Sequence, residues 1–269
     1  MVTGNTRVFA VLGAPVSQSL SPIMHNAAMR VLGLDAVYVA LPSGDDAVAP
    51  LIATLTAAGG GGSVTRPHKS RAAASVSRPT ELVRTLDACN TFWRENGASA
   101  GDNTDVAGVL HATTVVGGGR VWAIAGTGAS AHAAVEAART VGARVAVHSR
   151  SESRAESLIE WATSRGVQVA QLPDADLLIN ATPLGWRDDD QMPFAGADLP
   201  RARAAVDMVY RPGESFWIRD VRVRGLSAVD GREMLLGQGV AAFRRWFPQH
   251  EPPMEVMRAA VEQALRAPG

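Results

Sequence analysis

The sequence predicts an α/β fold built as two domains, and three features of its 269 residues support that class. Apolar runs of strand length alternate with longer helical stretches along most of the chain, which is typical of parallel sheets covered by helices. The glycine run 117–119 interrupts this alternation near the middle, and a new strand–helix series begins after it. The length is sufficient for two modest cores.

The composition limits the classes of function. Lys and Arg number 26 against 26 Asp and Glu, so no basic excess favours nucleic acid or anionic lipid as a partner. Hydrophobic residues make up 46% of the chain without a run of about 18 apolar residues, which predicts a soluble globular protein with no membrane span. The single cysteine, Cys89, excludes an internal disulfide and, with no visible signal segment, favours the cytoplasm. No spacing of His, Cys and carboxylates indicates a metal site.

Residues 1–115 are predicted to form the first domain. Val8 to Leu12 is an apolar run typical of a buried strand. Ser21-Pro22 predicts a helix start, with the serine as N-cap and the proline at the first helical position. The remaining predicted elements are a strand over 36–41, a helix over 45–58, a strand over 62–65, a hairpin around Asn96-Gly97 and a helix from Asp105 to near Val115.

Residues 116–230 are predicted to form the second domain, which opens with a glycine-rich turn. The strand Val121 to Ala125 is followed by Gly126-Thr127-Gly128-Ala129-Ser130-Ala131. The first, third and sixth of these residues fit G-x-G-x-x-[G/A], in which small residues allow a tight turn, close approach of backbone N–H groups to a pyrophosphate, and close helix–strand packing. The context favours a Rossmann-type dinucleotide site at Gly126, Thr127, Gly128, Ala129 and Ser130 over a purely structural turn.

The rest of the chain continues the alternation and then becomes helical. The predicted elements are helices over 129–140, 153–165 and 215–224, strands over 143–147, 167–171, 176–180, 204–209 and 226–229, and helical sequence from Gly231 to the end, interrupted at Pro248 and Pro252-Pro253.

The residues after the second strand of this domain bear on the choice between NAD and NADP. NAD enzymes carry an acid there that binds the ribose 2′-hydroxyl. Here Arg150 and Arg154 flank hydroxyl side chains, and a guanidinium matches the 2′-phosphate of NADP in charge and shape. Glu152 is an alternative ribose ligand, and a solvated helix start is the plain alternative for the arginines. The sequence favours NADP, bound by Ser149, Arg150, Ser151 and Arg154.

Polar residues in the first domain cluster at predicted strand ends: Ser19, Ser21, Thr65, Lys69, Asn90 and Asp105. A dinucleotide domain needs a partner domain that holds the substrate and a proton-transfer group. Lysine can act as the proton-transfer group when burial or a neighbouring charge brings its pKa toward neutrality. Asp105 is the candidate carboxylate to orient Lys69. Most lysines are solvated surface charges, so this pattern alone leaves the role of Lys69 open.

These residues lie in motifs that resemble those of the shikimate dehydrogenase family. Residues 19–26 are similar to S-x-S-P-x-x-H-N, and residues 63–69 to N-V-T-x-P-x-K. The other matches are 90–91 to N-T, 103–108 to N-T-D-x-x-G, 180–185 to N-A-T-x-x-G, 207–212 to D-x-x-Y-x-P and 231–238 to G-x-x-M-L-x-x-Q. The motifs occur in the family's order along nearly the whole chain.

The resemblance implies a reversible NADP-linked oxidation of shikimate to 3-dehydroshikimate, with Lys69 and Asp105 as the acid/base pair. It also implies that the C-terminal helices return to the first domain, which then comprises 1–115 with 231–269. The implied substrate contacts are Ser19 and Ser21 to the carboxylate, Tyr210 near it, and Thr65, Asn90, Asp105 and Gln238 to ring hydroxyls. Turns 180–186 and 207–210, with Thr182 and Met208, would border the nicotinamide.

Several residues depart from the family pattern. Ser63 replaces the usual asparagine, Gln18 a common histidine, Trp186 the usual methionine, and Phe216-Trp217 smaller aliphatics. A quinate or aminoshikimate dehydrogenase paralogue and a non-catalytic NADP-binding sensor therefore stay open as alternatives. The predicted partner is a small-molecule substrate, with neither nucleic acid nor membrane, for a monomer or homodimer.

Overall fold

Two sheets organise the chain, one in each of two units. A computed structural model describes residues 2–185 and 189–266. The first unit consists of Met1–Thr104 and Gln238–Gly269, and the second of Asp105–Gly237. The boundaries expected from sequence lie instead at 115/116 and 230/231. Two helices account for the difference: the helix that begins at Asp105 belongs to the second unit, and the helix that spans residue 237 is divided between the two units. Both units combine helices with strands, which confirms the predicted α/β class.

The first unit begins with a strand and a helix and then continues the alternation. Its elements before the second unit are β1 (Arg7–Gly13), α1 (Ser21–Val31), β2 (Ala36–Pro42), α2 (Asp45–Ala57), β3 (Gly61–Val64), α3 (Lys69–Ser75), β4 (Arg78–Pro79), α4 (Glu81–Leu86), β5 (Thr91–Glu95) and β6 (Ala98–Asp102). The short helices α3 and α4 and the two-residue strand β4 are additions to the predicted elements.

The sheet of the first unit has the order β2-β1-β3-β5-β6-β4. Strand β1 pairs in parallel with both β2 and β3, whereas β5 runs antiparallel to β3 and to β6. Asn96 and Gly97, with φ of 49° and 80°, turn the predicted hairpin. The carboxyl ends of β1, β3 and β6 and the amino end of β5 therefore lie at one edge of this sheet.

An aromatic cluster on the first sheet includes residues at the end of the first of the two C-terminal helices. Helices α9 (Gly231–Trp246) and α10 (Met254–Arg266) are the last elements. The Phe9 ring lies 5.3 Å from Trp246 and 5.2 Å from Phe247, centroid to centroid. His25 lies 4.7 Å from both Tyr38 and Trp246. Both nitrogens of His25 lack a hydrogen-bond partner within the described ranges, and burial lowers its pKa to about 3.

The second unit has an all-parallel sheet of order β11-β10-β9-β7-β8. Because the second and third strands of this series flank the first, the crevice between the carboxyl ends of β7 and β9 is the expected ligand position of a doubly wound sheet. The elements are α5 (Asp105–Val115), β7 (Val121–Ala125), α6 (Ala129–Thr140), β8 (Arg144–His148), α7 (Glu152–Ser164), a 3₁₀ turn (Leu172–Asp174), β9 (Leu177–Asn180), β10 (Ala204–Asp207), α8 (Phe216–Val223) and β11 (Ser227–Val229).

One predicted strand of this unit does not form. Residues 167–171 make a single bridge, between Val169 and Val145 at the outer side of β8. Val167 is buried, but Val169 on the same face is 42% exposed, so this segment has too little buried surface to hold a longer pairing. The prediction over 167–171 was wrong for that reason.

Helix α1 starts one residue earlier than predicted. Leu20 is the N-cap, and Ser21 and Pro22 are the first two helical residues. The hydroxyl of Ser19 accepts a hydrogen bond from the backbone N–H of Ser21 at 3.3 Å. Ser19 thus satisfies a donor in the first turn, the task assigned to Ser21 from sequence. Among residues 2–185 and 189–266, no helix is both long and apolar enough to cross a membrane.

Candidate functional site

The ends of β1 and β3 in the first unit are held together by backbone hydrogen bonds. Thr65 N donates to Leu12 O at 2.8 Å, and Ala14 N donates to Arg66 O at 3.2 Å. A Cβ on Gly13 would overlap the Thr65 side chain, so glycine is needed for this close approach. The turn that carries Thr65 is therefore fixed against the turn that leads to Ser19.

Lys69 is the first residue of α3 and is half-buried. The residue before it anchors the turn, because buried His68 places Nε2 2.8 Å from Ser43 O, which accepts, and Nδ1 3.2 Å from Asp45 Oδ1. The Lys69 carbonyl accepts from Cys89 N at 2.9 Å. The lysine backbone is thus held on both sides.

Asn90 is buried beside the end of β6, and its amide orientation is fixed. Asn90 Oδ1 accepts from Thr104 N at 2.7 Å and from the hydroxyls of Thr91 and Thr104, both at 3.1 Å. Since the oxygen takes these donors, the NH₂ end is turned away from Thr104. The bonds also hold the segment that leads directly into Asp105, the buried first residue of α5.

Gln238 lies in the part of α9 that belongs to the first unit, next to a close helix contact. A Cβ on the adjacent Gly239 would lie 3.1 Å from Met24 Sδ and 3.4 Å from His25 Cε1. The absence of a side chain lets α9 approach α1, the helix that begins with Ser21. The first unit contains six of the predicted substrate and catalytic residues, Ser19, Ser21, Thr65, Lys69, Asn90 and Gln238, and the second contains Asp105 and Tyr210.

The glycine turn of the second unit follows β7, as predicted. Gly126 has a φ of +107°, and a Cβ there would lie 2.9 Å from Ala181 O and 3.1 Å from Thr182 Cγ2. Gly128 is the exposed N-cap of α6, and a Cβ there would have no heavy atom within 4 Å. The N-cap side of this helix start, where Ala129 and Ser130 follow, is therefore open beside Gly128. This arrangement fits a diphosphate group.

The end of β8 leads into the residues expected to distinguish NADP from NAD. Arg150 is exposed, and Ser151 N donates to Ser149 Oγ at 3.2 Å just before α7. Arg154, in the first turn of α7, is also exposed, as is Glu152. Both guanidinium groups thus lie at the same helix start and are accessible to an anion.

A buried carboxylate joins the turns after β9 and β10. Asp207 Oδ1 accepts from Asn180 Nδ2 at 2.8 Å and from Val209 N at 2.9 Å, and Oδ2 accepts from Ser215 Oγ at 2.8 Å. Burial raises the pKa of Asp207 to about 7, and the charge of Asp230 adds to the shift, against the effect of the three hydrogen bonds. The sequence motifs contained Asp207 but gave it no role.

The same network positions the two predicted nicotinamide-side residues. Thr182 Oγ1 donates to Asn180 Oδ1 at 2.6 Å, and Met208 N donates to Asn180 O at 3.0 Å. Thr182 and Met208 are consequently held at the carboxyl edge, near the glycine turn after β7. Trp186, the departure from the family pattern in this turn, lies outside the described residues.

The other departures have different surroundings. Ser63 is 7% exposed, in β3 two residues before Thr65, whereas Gln18 is exposed. Trp217 is core, with its ring 5.9 Å from that of Phe194. Of these departures, Ser63 lies nearest in sequence to the predicted site residues Thr65 and Lys69. The described residues contain no group of three or more His, Cys, Asp or Glu side chains arranged to hold a metal.

The second unit has a parallel doubly wound sheet with a glycine turn at its switch point, and the first unit has a half-buried lysine at the edge of its sheet. Together these features define a two-unit protein of the dinucleotide-binding class. A family model described as the shikimate dehydrogenase substrate binding domain matches residues 11–92, and one described as the shikimate 5′-dehydrogenase C-terminal domain matches 231–262. The shikimate dehydrogenase (NADP(+)) of Rubrobacter xylanophilus is 40% identical over 276 residues, covering 97% of both chains.

Further comparisons agree. The shikimate dehydrogenase (NADP(+)) of Synechocystis sp. is 36% identical over 280 residues, covering 97% of this chain and 96% of that protein. The crystal structure of shikimate 5-dehydrogenase from Thermus thermophilus, in complex with NADP(H) and shikimate, has a TM-score of 0.83 and 33% identity, covering 98% of this chain and 100% of the other. The chain belongs to the shikimate dehydrogenase family, which confirms the resemblance found in the motifs.

Proposed function

We propose that this protein is an NADP-dependent oxidoreductase that interconverts shikimate and 3-dehydroshikimate in aromatic amino-acid biosynthesis. The observation that carries the proposal is the position of Lys69, at the sheet edge that also holds Thr65 and Asn90, in a chain whose relatives are shikimate dehydrogenases along nearly their whole length. Thr65 and Asn90 bring a hydroxyl and an amide, the groups suited to hydroxyl-bearing ligands.

The first unit supplies most of the substrate contacts in this proposal. Ser19 and Ser21, at the start of α1, bind the substrate carboxylate, aided by the positive end of the helix, with Tyr210 of the second unit near the same group. The ring hydroxyls are bound by Thr65, Asn90, Asp105 and Gln238.

Proton transfer is assigned to Lys69, with Asp105 as its carboxylate partner. In the oxidative direction the lysine takes the proton of the substrate 3-hydroxyl as the carbon–oxygen bond becomes a carbonyl, and in the reductive direction it returns that proton. NADP, when bound, supplies the hydride acceptor or donor. The Asp105 carboxylate orients the Lys69 amine and stabilises the positive charge that develops on it when it accepts the proton.

The cofactor residues proposed are those at the glycine turn and the two adjacent turns. Backbone groups of the turn after β7 bind the diphosphate, and the arginines at the start of α7 bind the 2′-phosphate. The full set is Gly126, Thr127, Gly128, Ala129, Ser130, Ser149, Arg150, Ser151, Arg154, Thr182 and Met208.

We also propose that the functional domains are 1–115 with 231–269 for substrate binding and 116–230 for NADP. The C-terminal part of α9 packs in the aromatic cluster of the first sheet, which supports that grouping. The proposal includes a cytoplasmic location and a monomeric or homodimeric state.

Nicotinamide reduction followed by absorbance tests the function directly. Shikimate, quinate and aminoshikimate are each combined with NADP and with NAD. Turnover that is fastest with shikimate and NADP is expected. A better rate on another substrate would point to a paralogue and to Ser63 as the first residue to exchange for asparagine. NADP binding with no turnover on any pair would overturn the enzyme assignment in favour of a sensor.

Arg150→Ala is expected to raise KM for NADP about 10- to 100-fold, because it removes a charge-assisted contact to the 2′-phosphate. KM for NAD, which lacks that phosphate, is expected to change less than about twofold. Arg144→Ala is the matched control, since this exposed arginine lies at the opposite end of β8. Equal effects of Arg150→Ala on both cofactors would exclude Arg150 from reading the phosphate.

A further inference from the structure

Arg245, near the end of α9, makes a charge-assisted contact with the end of the hairpin. Its Nε and Nη2 donate to Asp102 Oδ2 at 3.0 and 2.7 Å, and its guanidinium lies 5.4 Å from the centre of the Trp93 ring. The Asp102 side chain is 10% exposed, against 48% for Arg245. The carboxylate is thus nearly buried, and the arginine covers it from the solvent side.

Asp102 also holds the chain segment that leads to the proposed active-site residues. Its Oδ1 accepts from Thr80 Oγ1 and from Asn103 N, both at 2.8 Å. Its carbonyl accepts from Asn90 N at 3.1 Å. One carboxylate therefore sets the geometry of residues 102–104, and through the Thr104–Asn90 bonds it sets the position of the Asn90 amide.

A second proposed substrate residue, Gln238, lies on the same helix as Arg245. Gln238 precedes it by seven residues, which is about two turns, so the two side chains share a face about 10 Å apart along the axis. At the same end of α9, Trp246 Nε1 donates to Phe92 O at 3.2 Å. The rotation of α9 about its axis is therefore fixed at the hairpin, and that rotation decides where Gln238 points.

We propose that Arg245 is a positioning residue for the substrate: its ion pair with Asp102 couples α9 to the hairpin and so sets Gln238 and Asn90 together. This inference rests on the proposed function, because those two residues are assigned to the ring hydroxyls. Arg245 itself touches neither substrate nor cofactor. Removing it loosens the substrate contacts and leaves the NADP turn of the second unit unchanged.

The pair is suited to positioning more than to stability. The Arg245 guanidinium is half-exposed, so water and salt screen its attraction to Asp102, and the side chain loses freedom in forming the pair. Asp102 also keeps its hydrogen bonds from Thr80 and Asn103 when Arg245 is replaced. A planar guanidinium that donates two hydrogen bonds to one carboxylate oxygen nevertheless restricts direction more than an ammonium does, and an aliphatic side chain forms no such bonds. Replacing Arg245 is therefore expected to weaken substrate binding more than it lowers the free energy of unfolding.

The test compares Arg245→Met with Arg244→Met in the full-length protein. Arg244, the preceding residue on α9, pairs with exposed Glu251 at 2.5 Å, away from the hairpin, so it is a matched control. For Arg245→Met we expect the KM and equilibrium Kd for shikimate to rise about tenfold, with KM for NADP within about twofold. Arg244→Met is expected to leave all three within about twofold of wild type, because it breaks only a surface pair.

Two further variants separate positioning from general loosening. Arg245→Lys keeps the charge without the fork and is expected to restore part of the affinity for shikimate. The effects of Arg245→Met and Asp102→Asn are expected to be non-additive, since either change breaks the same contact. Additive effects, or equal losses of shikimate and NADP affinity, would overturn positioning through this pair.

The outcomes also distinguish this inference from the proposed function. Unchanged shikimate affinity in Arg245→Met, with wild-type turnover intact, would overturn the inference and leave the function standing. Shikimate binding that weakens in Arg245→Met, in a protein without turnover, would support the inference and overturn the function. Wild-type protein that binds no shikimate in calorimetry would overturn both.

Discussion

Lys69→Ala is expected to lower kcat by about 10²- to 10⁴-fold, the effect of removing a general acid/base. The residue begins α3 at the edge of the first sheet, and its backbone is held by the His68 and Cys89 contacts, which the alanine retains. The fold and the NADP turn, which lies in the second unit, are therefore expected to persist. Steady-state kinetics, thermal unfolding and NADP binding measured on the same preparation check the three parts.

Arg71→Ala is the matched control for this change, because Arg71 is an exposed cation in the same helix. If Lys69→Ala had the kcat of the wild-type protein, the lysine would have no part in the mechanism. The chain also offers a direct probe, since Lys69 is its single lysine. Reductive methylation with ¹³C-formaldehyde would give one lysine resonance beside that of the N-terminus, and its shift on adding shikimate would report on the amine itself.

Asp207→Asn is expected to change how stability depends on pH. The folded-state pKa of Asp207 is about 7, raised from 3.8, so between these values the unfolded chain releases a proton that the folded protein keeps. The contribution to stability is complete below pH 3.8 and is lost as pH rises through 7, by about 1.4 kcal/mol per pH unit between. Asparagine does not titrate, so its variant lacks this slope.

Urea unfolding of both proteins at pH values from about 4 to 7 measures the effect as a difference in slope. The difference is needed because His25 acts in the opposite sense: its lowered pKa means that stability present above 6.5 is lost as pH falls toward 3. Asp198→Asn, at a carboxylate of the same unit outside this network, controls for loss of a charge. Parallel curves for wild type and Asp207→Asn would refute a raised folded-state pKa.

Local signals predicted most of the fold. Asn96-Gly97 specified its hairpin because both residues take positive φ, and the long apolar runs specified β1 and β7. Helices α3 and α4 were missed because seven and six residues are too few to show a helical period. The start of α1 was misplaced by one residue because serines occur on both sides of Leu20, and the hydroxyl that serves the first turn is that of Ser19.

The candidate site was predictable where short motifs carry it. Thr65, Lys69 and Asn90 lie at strand ends in the sequence, and parallel pairing of β1 and β3 brings those ends to one edge. Arg245 and Asp102 are 143 residues apart, so nothing in either local pattern predicts their contact. His68 was not given a role, because its bonds to Ser43 and Asp45 depend on how α2 is placed.

The division of the first unit into Met1–Thr104 and Gln238–Gly269 has a consequence for synthesis on the ribosome. Phe9 is made early, yet its ring partners Trp246 and Phe247 emerge only after the whole second unit. The unit encoded in the middle can thus complete its core while the one encoded first still exposes apolar surface to water. Nascent chains that stop before α9 are expected to be bound by chaperones through that uncovered sheet face.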